Sequence, residues 1–257
     1  MTRFMQDTVV EQALSKVPEI TLLFWIVKIA ATTLGETGGD ALSMSMKLGY
    51  LTATGILAVI FLVAVGTQIA AKRFHPAVYW TTIIATTMVG TTLADFADRS
   101  LGIGYAGGST LLLALLIASF AIWHRTLGTV SVGSISAPRA EMFYWMTIMF
   151  SQTLGTALGD WTADTAGLGY TGGAVVFAAL LALVAAAYYR TSISRTLLFW
   201  AAFVLTRPLG AVVGDFLDKP VATGGLALSR YAASVSLLVF IAATLMLFKH
   251  RAAGRMH

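Results

Sequence analysis

The chain contains no cysteine, which removes disulfides, thiolate metal ligands and cysteine nucleophiles from consideration. Charge is scarce as well. Asp, Glu, Lys and Arg make up 11% of 257 residues, against roughly 25% in soluble domains, while hydrophobic residues reach 57% and mean hydropathy is +0.79. This balance excludes an ordinary soluble domain and points to a polytopic membrane protein. The net charge of +5 does not indicate nucleic acid, because the basic residues lie in short loops between apolar stretches and form no continuous patch. There is no P-loop, no serine elbow and no His-Glu-x-x-His, so ATPase and metalloprotease chemistry lack support. An intramembrane aspartyl protease of the presenilin kind carries Gly-x-Gly-Asp, where this chain has only Ala157-Leu158-Gly159-Asp160 and Val212-Val213-Gly214-Asp215. No enzymatic activity is expected. Residues 1–18 hold Asp7 and Glu11 and no apolar run, so they read as a short cytoplasmic or interfacial helix rather than a cleaved signal peptide.

What the chain does have is eight apolar stretches near the ~20 residues a spanning helix needs. They fall at about 19–42, 50–71, 76–98, 102–123, 141–164, 168–189, 196–218 and 225–248. Arg3, Lys16, Lys72, Arg73, Arg125, Arg139, Arg190, Arg195, Lys249, Arg251 and Arg255 fall on one side, and only Lys47, Arg99, Lys219 and Arg230 on the other. The positive-inside rule then puts both termini in the cytoplasm. The expected architecture is an all-α domain over 19–248, with a segment 1–18 before it and a tail 249–257 after it.

Within that domain the chain repeats itself, over about 19–71, 76–123, 141–189 and 196–248. Thr33-Leu34-Gly35-Glu36 aligns with Thr92-Leu93-Ala94-Asp95, Ala157-Leu158-Gly159-Asp160 and Val212-Val213-Gly214-Asp215. Each unit reads as a helix ending in carboxylates, a glycine-rich turn and a second helix, giving four helix hairpins. Trp80, Trp145 and Trp200 precede the first acid by fifteen residues, and Trp25 precedes Glu36 by eleven, a difference of about one helical turn. With these features the chain resembles bacterial multi-pass membrane proteins made of four tandem two-helix repeats of unknown function, each with a characteristic tryptophan. The resemblance covers about residues 19–248. It implies an architecture and brings no activity.

Two helices per repeat make successive repeats enter the bilayer in the same direction, so the acidic helix ends gather on one side, the extracytoplasmic one. Parallel pseudosymmetry about the membrane normal follows. Eight of the twelve acids form pairs there: Glu36/Asp40, Asp95/Asp98, Asp160/Asp164 and Asp215/Asp218. The spacing alternates between four and three, which fits a twofold arrangement of repeat pairs. An intramembrane carboxylate costs about 2.5 to 3.5 kcal/mol at mid-bilayer. Two on one helix face also repel, so each pair must hold a proton, meet a fixed cation or bind a mobile one. Lys28 and Arg207, eight residues before the first acid of repeats one and four, and Arg99 and Lys219, directly after Asp98 and Asp218, are too few to neutralise the set.

The eight carboxylates, with hydroxyls at Thr33, Thr92, Thr156 and Thr162, make an oxygen-rich cage suited to Ca²⁺, Mg²⁺ or Mn²⁺. His75, His124, His250 and His257 fall at the opposite helix ends, which disfavours zinc and copper, and Met44 and Met46 near the first pair read as packing. The tryptophans read as packing or interfacial belt. The expectation is a secondary transporter of a divalent cation in a bacterial plasma membrane, with protons as counter-ion and Lys28 and Arg207 tuning the acids. The alternatives are a cation channel with an acidic ring, or a structural or sensor protein whose acids form ion pairs. Beyond lipid, the cation and protons, the sequence names no partner and sets no oligomeric state.

Overall fold

The computed structural model describes residues 15–254, which are helical and contain no β-strand beyond one isolated bridge, Pro18 to Ala252. Eight long helices follow in order: α1 (Leu22–Asp40), α2 (Tyr50–Ala70), α3 (Pro76–Asp95), α4 (Gly104–Leu127), α5 (Pro138–Asp160), α6 (Gly169–Arg190), α7 (Arg195–Asp218) and α8 (Arg230–Leu247). Thr21 and Ser229 cap α1 and α8 through their hydroxyls, while Pro76 and Pro138 open α3 and α5 where an N–H would have no helical partner. Six helices, all but α1 and α5, are long and apolar enough to cross a membrane. α1 and α5 have 19 and 23 residues, or about 28 and 34 Å, so length is not what separates them. Their hydropathy is lowered by side chains such as Lys28, Glu36 and Gln152, all buried inside the protein.

The odd-numbered helices form the interior. α1 packs on α3, α3 on α5, α5 on α7, and α7 on α1, closing a ring of four. The even-numbered helices lie outside. Each covers the inner helix of the next repeat, α2 on α3, α4 on α5 and α6 on α7, with α8 returning to α1. This corrects the expected helix hairpins, and the turns give the reason. After α1, α3 and α5 the chain makes a π-helical turn (Ala41–Ser45, Phe96–Ser100 and Trp161–Thr165), then passes Gly49, Gly104 and Gly169 at φ of +73°, +72° and +64°, conformations that favour glycine. The wide turn carries each outer helix sideways to its neighbour. The fourth turn differs, because Leu226, Ala227 and Leu228 donate their N–H groups back to carbonyls of Phe216, Lys219 and Leu217. That fold-back delays the start of α8 to Arg230, five residues past the expected 225.

Small residues hold the ring tight. A Cβ on Gly35, Gly155 or Gly210 would collide with Thr87, Arg207 or Thr32 respectively, and one on Gly90 would lie 3.0 Å from the backbone of Gln152 and Thr153. Each contact is with the next inner helix. Four residues on come Gly39, Ala94, Gly159 and Gly214, completing a small-xxx-small row on every inner helix that lets backbones approach closely. The outer helices instead expose apolar side chains such as Leu62, Val63, Leu183 and Val239. Polar inside and apolar outside is the arrangement a lipid solvent demands.

Of the expected N-terminal segment, residues 1–14, including Arg3, Asp7 and Glu11, lie outside the described residues, as do Arg255 and His257. Residues 15–18 are not helical: the chain bends at Lys16 and Val17 and forms the bridge at Pro18. Ser15 and Val17 exchange backbone bonds with Ala253, Lys16 N–H reaches Ile135, and the Lys16 ammonium meets Glu141 of α5 at 2.6 Å.

Candidate functional site

Packing fixes the register of the repeats. Asp40, Asp95 and Asp160 each end an inner helix, and Asp215 follows Trp200 by fifteen residues as Asp95 follows Trp80, Asp160 follows Trp145 and Asp40 follows Trp25. The structural counterpart of Asp95, Asp160 and Asp215 is therefore Asp40, and the alignment on Glu36 is corrected by one helical turn. Glu36 corresponds instead to Thr91, Thr156 and Ala211. Arg207 corresponds to Thr32, Thr87 and Gln152, and Lys28 to Ile83, Ile148 and Phe203, so the two buried bases do not share a position.

In this register the ring interior is layered. At one end Phe24, Tyr79, Tyr144 and Phe199 join the four tryptophans in a contiguous aromatic cluster, with ring centroids of Phe24 and Trp80 5.5 Å apart and those of Tyr144 and Trp200 5.9 Å apart. Tyr79 and Tyr144 also share a hydrogen bond of 2.6 Å. Next comes Lys28, fully buried, its ammonium 4.1 Å above the Phe203 ring and 3.4 Å from the Thr206 hydroxyl. It meets no carboxylate among the described residues. At the far end stand the four aspartates.

Two cations clamp those aspartates in pairs. Arg99, in the turn after α3, lies 3.1 Å from Asp95 of its own repeat and 3.1 Å from Asp160 of the next, while its Nε–H, which faces Asp95, donates to the Tyr105 hydroxyl and its Nη1 to the Tyr50 hydroxyl. Lys219, at the corresponding place after α7, lies 3.0 Å from Asp215 and 2.6 Å from Asp40. Burial disfavours the Lys219 charge, but Asp215, Asp40 and Asp218 outweigh it and push the ammonium well above its usual range, so it remains a cation. Arg230 completes the edge, 2.8 Å from Asp218 and 3.8 Å from Asp40. It is a partner that sequence spacing does not reveal, because it arrives with the folded-back fourth turn.

One layer deeper, the two N–H groups of Arg207 Nη2 are shared among three oxygens, Glu36 at 2.9 Å, the Thr91 hydroxyl at 2.7 Å and the Thr156 hydroxyl. These are the corresponding residues of the other three repeats, so one nitrogen from repeat four collects an oxygen from each. Arg207 is fully buried, and its Nε and Nη1 have no hydrogen-bond partner among the described residues. Thr91, which sequence reasoning missed, also donates to the Gly35 carbonyl at 3.1 Å. Of the expected cage hydroxyls only Thr156 faces this point. Thr33, Thr92 and Thr162 bond carbonyls of their own helices at Ile29, Met88 and Leu158.

The eight expected acids therefore divide. Glu36, Asp40, Asp95, Asp160, Asp215 and Asp218 are buried together. Oxygens of Glu36, Asp160 and Asp215 lie within 4.8 Å of one another, as do oxygens of Asp40, Asp215 and Asp218. Asp98 and Asp164 stand apart, a correction to the eight-acid cage. Asp98 is buried as well but backs onto Gly108 of α4, and Asp164 is exposed with the Tyr105 hydroxyl 3.4 Å away. The π-helical turn rotates both off the inner face. His75, His124 and His250 all lie toward the other end, so the cluster is oxygen only.

Fold and site together define a helical membrane protein of internally repeated sequence, with a buried carboxylate cluster at one end of its polar core. Residues 23–74, 78–129, 143–194 and 198–252 match the model of a repeat of unknown function, DUF347, and the chain belongs to that family. The matched segments begin two residues before each tryptophan and seventeen before Asp40, Asp95, Asp160 and Asp215, the same register that the packing gives. No curated protein and no solved structure matches.

Proposed function

We propose that this protein is a secondary transporter of a hard divalent cation, Mn²⁺, Mg²⁺ or Ca²⁺, with protons as the exchanged ion. On this reading all eight helices cross a bacterial plasma membrane, both termini are cytoplasmic, and the repeats are related by an axis along the membrane normal. α1 and α5 tolerate their polar residues because protein, not lipid, surrounds them. The observation that carries the reading is the charge imbalance of the cluster. Six buried carboxylates face Arg99, Lys219, Arg207 and Arg230, while Lys28 sits apart, leaving two negative charges uncompensated. A divalent cation or two protons restore neutrality, and such alternatives are the basis of exchange.

Glu36, Asp160 and Asp215, from three inner helices, supply the central ligands, and Arg207 is the resident cation that holds Glu36 when no ion does. A channel has less support, because Arg207 puts a buried positive charge behind the acids and the aromatic cluster fills the ring beyond it. A structural role has its own observation, the ion pairs on all six clustered acids. Calorimetric titration of purified protein with Mn²⁺ separates the readings. Transport predicts saturable binding that weakens at least about tenfold, or ~1.4 kcal/mol, in Asp160→Asn and Asp215→Asn and stays intact in Asp164→Asn. The structural reading predicts no binding in any of them.

A further inference from the structure

We propose that the protein moves as two rigid halves, one formed by α2, α3, α4 and α5 and the other by α1, α6, α7 and α8, which part along the α1–α3 and α5–α7 seams. The inference rests on the transport reading for its purpose and on the distribution of contacts for its geometry.

Among the described residues, ion pairs at the acidic end join two of the four seams of the inner ring. Arg99 welds α3 to α5 through Asp95 and Asp160, while Lys219, Arg207 and Arg230 weld α7 and α8 to α1 through Asp215, Asp218, Glu36 and Asp40. Neutral side-chain bonds mostly divide in the same way, whereas at the aromatic end Trp200 donates to the Val130 carbonyl and packs on Phe120 across the division. Gln152 to Thr87, Tyr79 to Tyr144, Ser119 to Thr147 and Thr54 to Thr92 stay in the first half, and Lys28 to Thr206 and Ser234 to Thr37 stay in the second. The α1–α3 and α5–α7 seams are lined by small residues, Gly39 against Thr91 and Gly159 against Ala211. Near the acids, the side-chain bonds that cross between halves all involve Thr91 or Arg207, whose guanidinium reaches Thr91 and Thr156. An ion pair resists separation far more than a glycine contact does.

Chain connectivity follows the same division. Because every outer helix covers the next inner one, the first half is the continuous stretch 50–160. It is tied to the rest through the links 41–49 and 161–168, each a π-helical turn ending in residues at positive φ, Lys47 and Gly49 or Gly167 and, just beyond, Gly169. At the opposite end the halves are latched. The strap leading into α1 anchors on the first half through Lys16 to Glu141, Lys16 to the Ile69 carbonyl, Gln68 to the Lys16 carbonyl and Ser15 to the Val132 carbonyl. The central ligands straddle the division, with Glu36 and Asp215 in one half and Asp160 in the other, so a bound cation closes the gap and separation dismantles its site. Asp40, Asp215 and Asp218 share one half and would move together, which marks that second triad as structural.

With no native cysteine, disulfides can be placed singly. Gly159→Cys with Ala211→Cys locks the α5–α7 seam, where a Cβ on Gly159 would lie 2.9 Å from that of Ala211. Gly90→Cys with Gln152→Cys locks the welded α3–α5 seam, where the corresponding distance is 3.1 Å. In proteoliposomes loaded for Mn²⁺ flux, the oxidised α5–α7 lock should abolish flux, with recovery on reduction, while the oxidised α3–α5 lock transports as its reduced form does. Undiminished flux in the first, or equal loss in both, overturns the two-half division. If either cysteine pair prevents folding, or if wild-type protein carries no Mn²⁺, the halves are tested by spin-label distances at the exposed positions Leu62, Leu113 and Val239. Leu62 to Val239 spans the halves and Leu62 to Leu113 lies within one. Acidification that broadens or shifts only the spanning distance supports the division, and equal change or none in both overturns it. Absence of wild-type Mn²⁺ flux counts against the transport reading alone.

Discussion

Fifteen residues, about 22 Å of helix, separate the tryptophan layer from the aspartate layer in every inner helix, and the two layers are held together by different physics. The aromatic end is mostly apolar contact, joined by the Tyr79–Tyr144 hydroxyl bond, an indole bond from Trp200 to the Val130 carbonyl and, at its edge, the single ion pair of Lys16 with Glu141. The acidic end is a set of mutually repelling carboxylates that coheres only through Arg99, Lys219, Arg207 and Arg230. Four copies of one repeat thus give a closely packed aromatic layer at one end and a charge-dependent assembly at the other. The difference lies in which residues the repeats keep alike. Tryptophan is identical in all four and needs no partner of opposite kind, whereas four identical aspartates need cations that only repeats two and four supply, at Arg99 and Lys219.

The change expected to break both ends together is Gly210→Leu. Its Cβ would lie 2.8 Å from the Thr32 backbone, so α1 and α7 must separate and the loss of stability exceeds the ~1 to 3 kcal/mol typical of overpacking. Thermal unfolding monitored by size-exclusion chromatography should find little folded protein, and a wild-type melting temperature would show the ring to be looser than described. Next is Arg207→Gln, which leaves Glu36 buried without its cation at a cost of about 3 to 5 kcal/mol for an ion that stays charged, less if it takes up a proton. The double variant Glu36→Gln with Arg207→Gln should regain most of that stability while losing Mn²⁺ binding. Failure of the second change to rescue the first would mean that Arg207 acts mainly through Thr91 and Thr156.

Protons offer a graded version of the same comparison. Cation ligands must be deprotonated, so Mn²⁺ affinity should fall as pH is lowered across about pH 8 to 5, while near-ultraviolet circular dichroism of the aromatic end stays constant. A flat titration would sever the acidic end from proton exchange. The smallest effect is expected at the aromatic end itself. Tyr79→Phe removes one hydroxyl of the 2.6 Å pair with Tyr144 and should lower stability by about 1 kcal/mol with cation affinity unchanged. A change in affinity would show that the two ends are coupled.

Much of this was legible in the chain itself. The repeat, the tryptophans, the helix count and the gathering of acids at one end follow from hydropathy and spacing, and the burial of Lys28 and Arg207 follows from their apolar surroundings. Three features were not. In the first repeat the fifteen-residue spacing from Trp25 marks Asp40 as the counterpart of the other aspartates, but the meeting of Glu36 with Thr91 and Arg207 is visible only in the packing. Thr91 gains its role from Arg207, and Arg230 reaches Asp40, partners more than a hundred residues away. The small-xxx-small rows are visible as letters, but which helix each glycine meets is not.

Sequence alone determined that this protein is helical, membrane-embedded and fourfold repeated, because solvent preference and helical period act residue by residue. Tertiary structure decided that the outer helices cover the next repeat instead of their own, that Arg99 and Lys219 divide four aspartates into two pairs, and that Asp98 and Asp164 stand aside. Those outcomes depend on how tightly backbones approach at glycines and where a π-helical turn rotates the chain, and a one-dimensional pattern does not encode such distances.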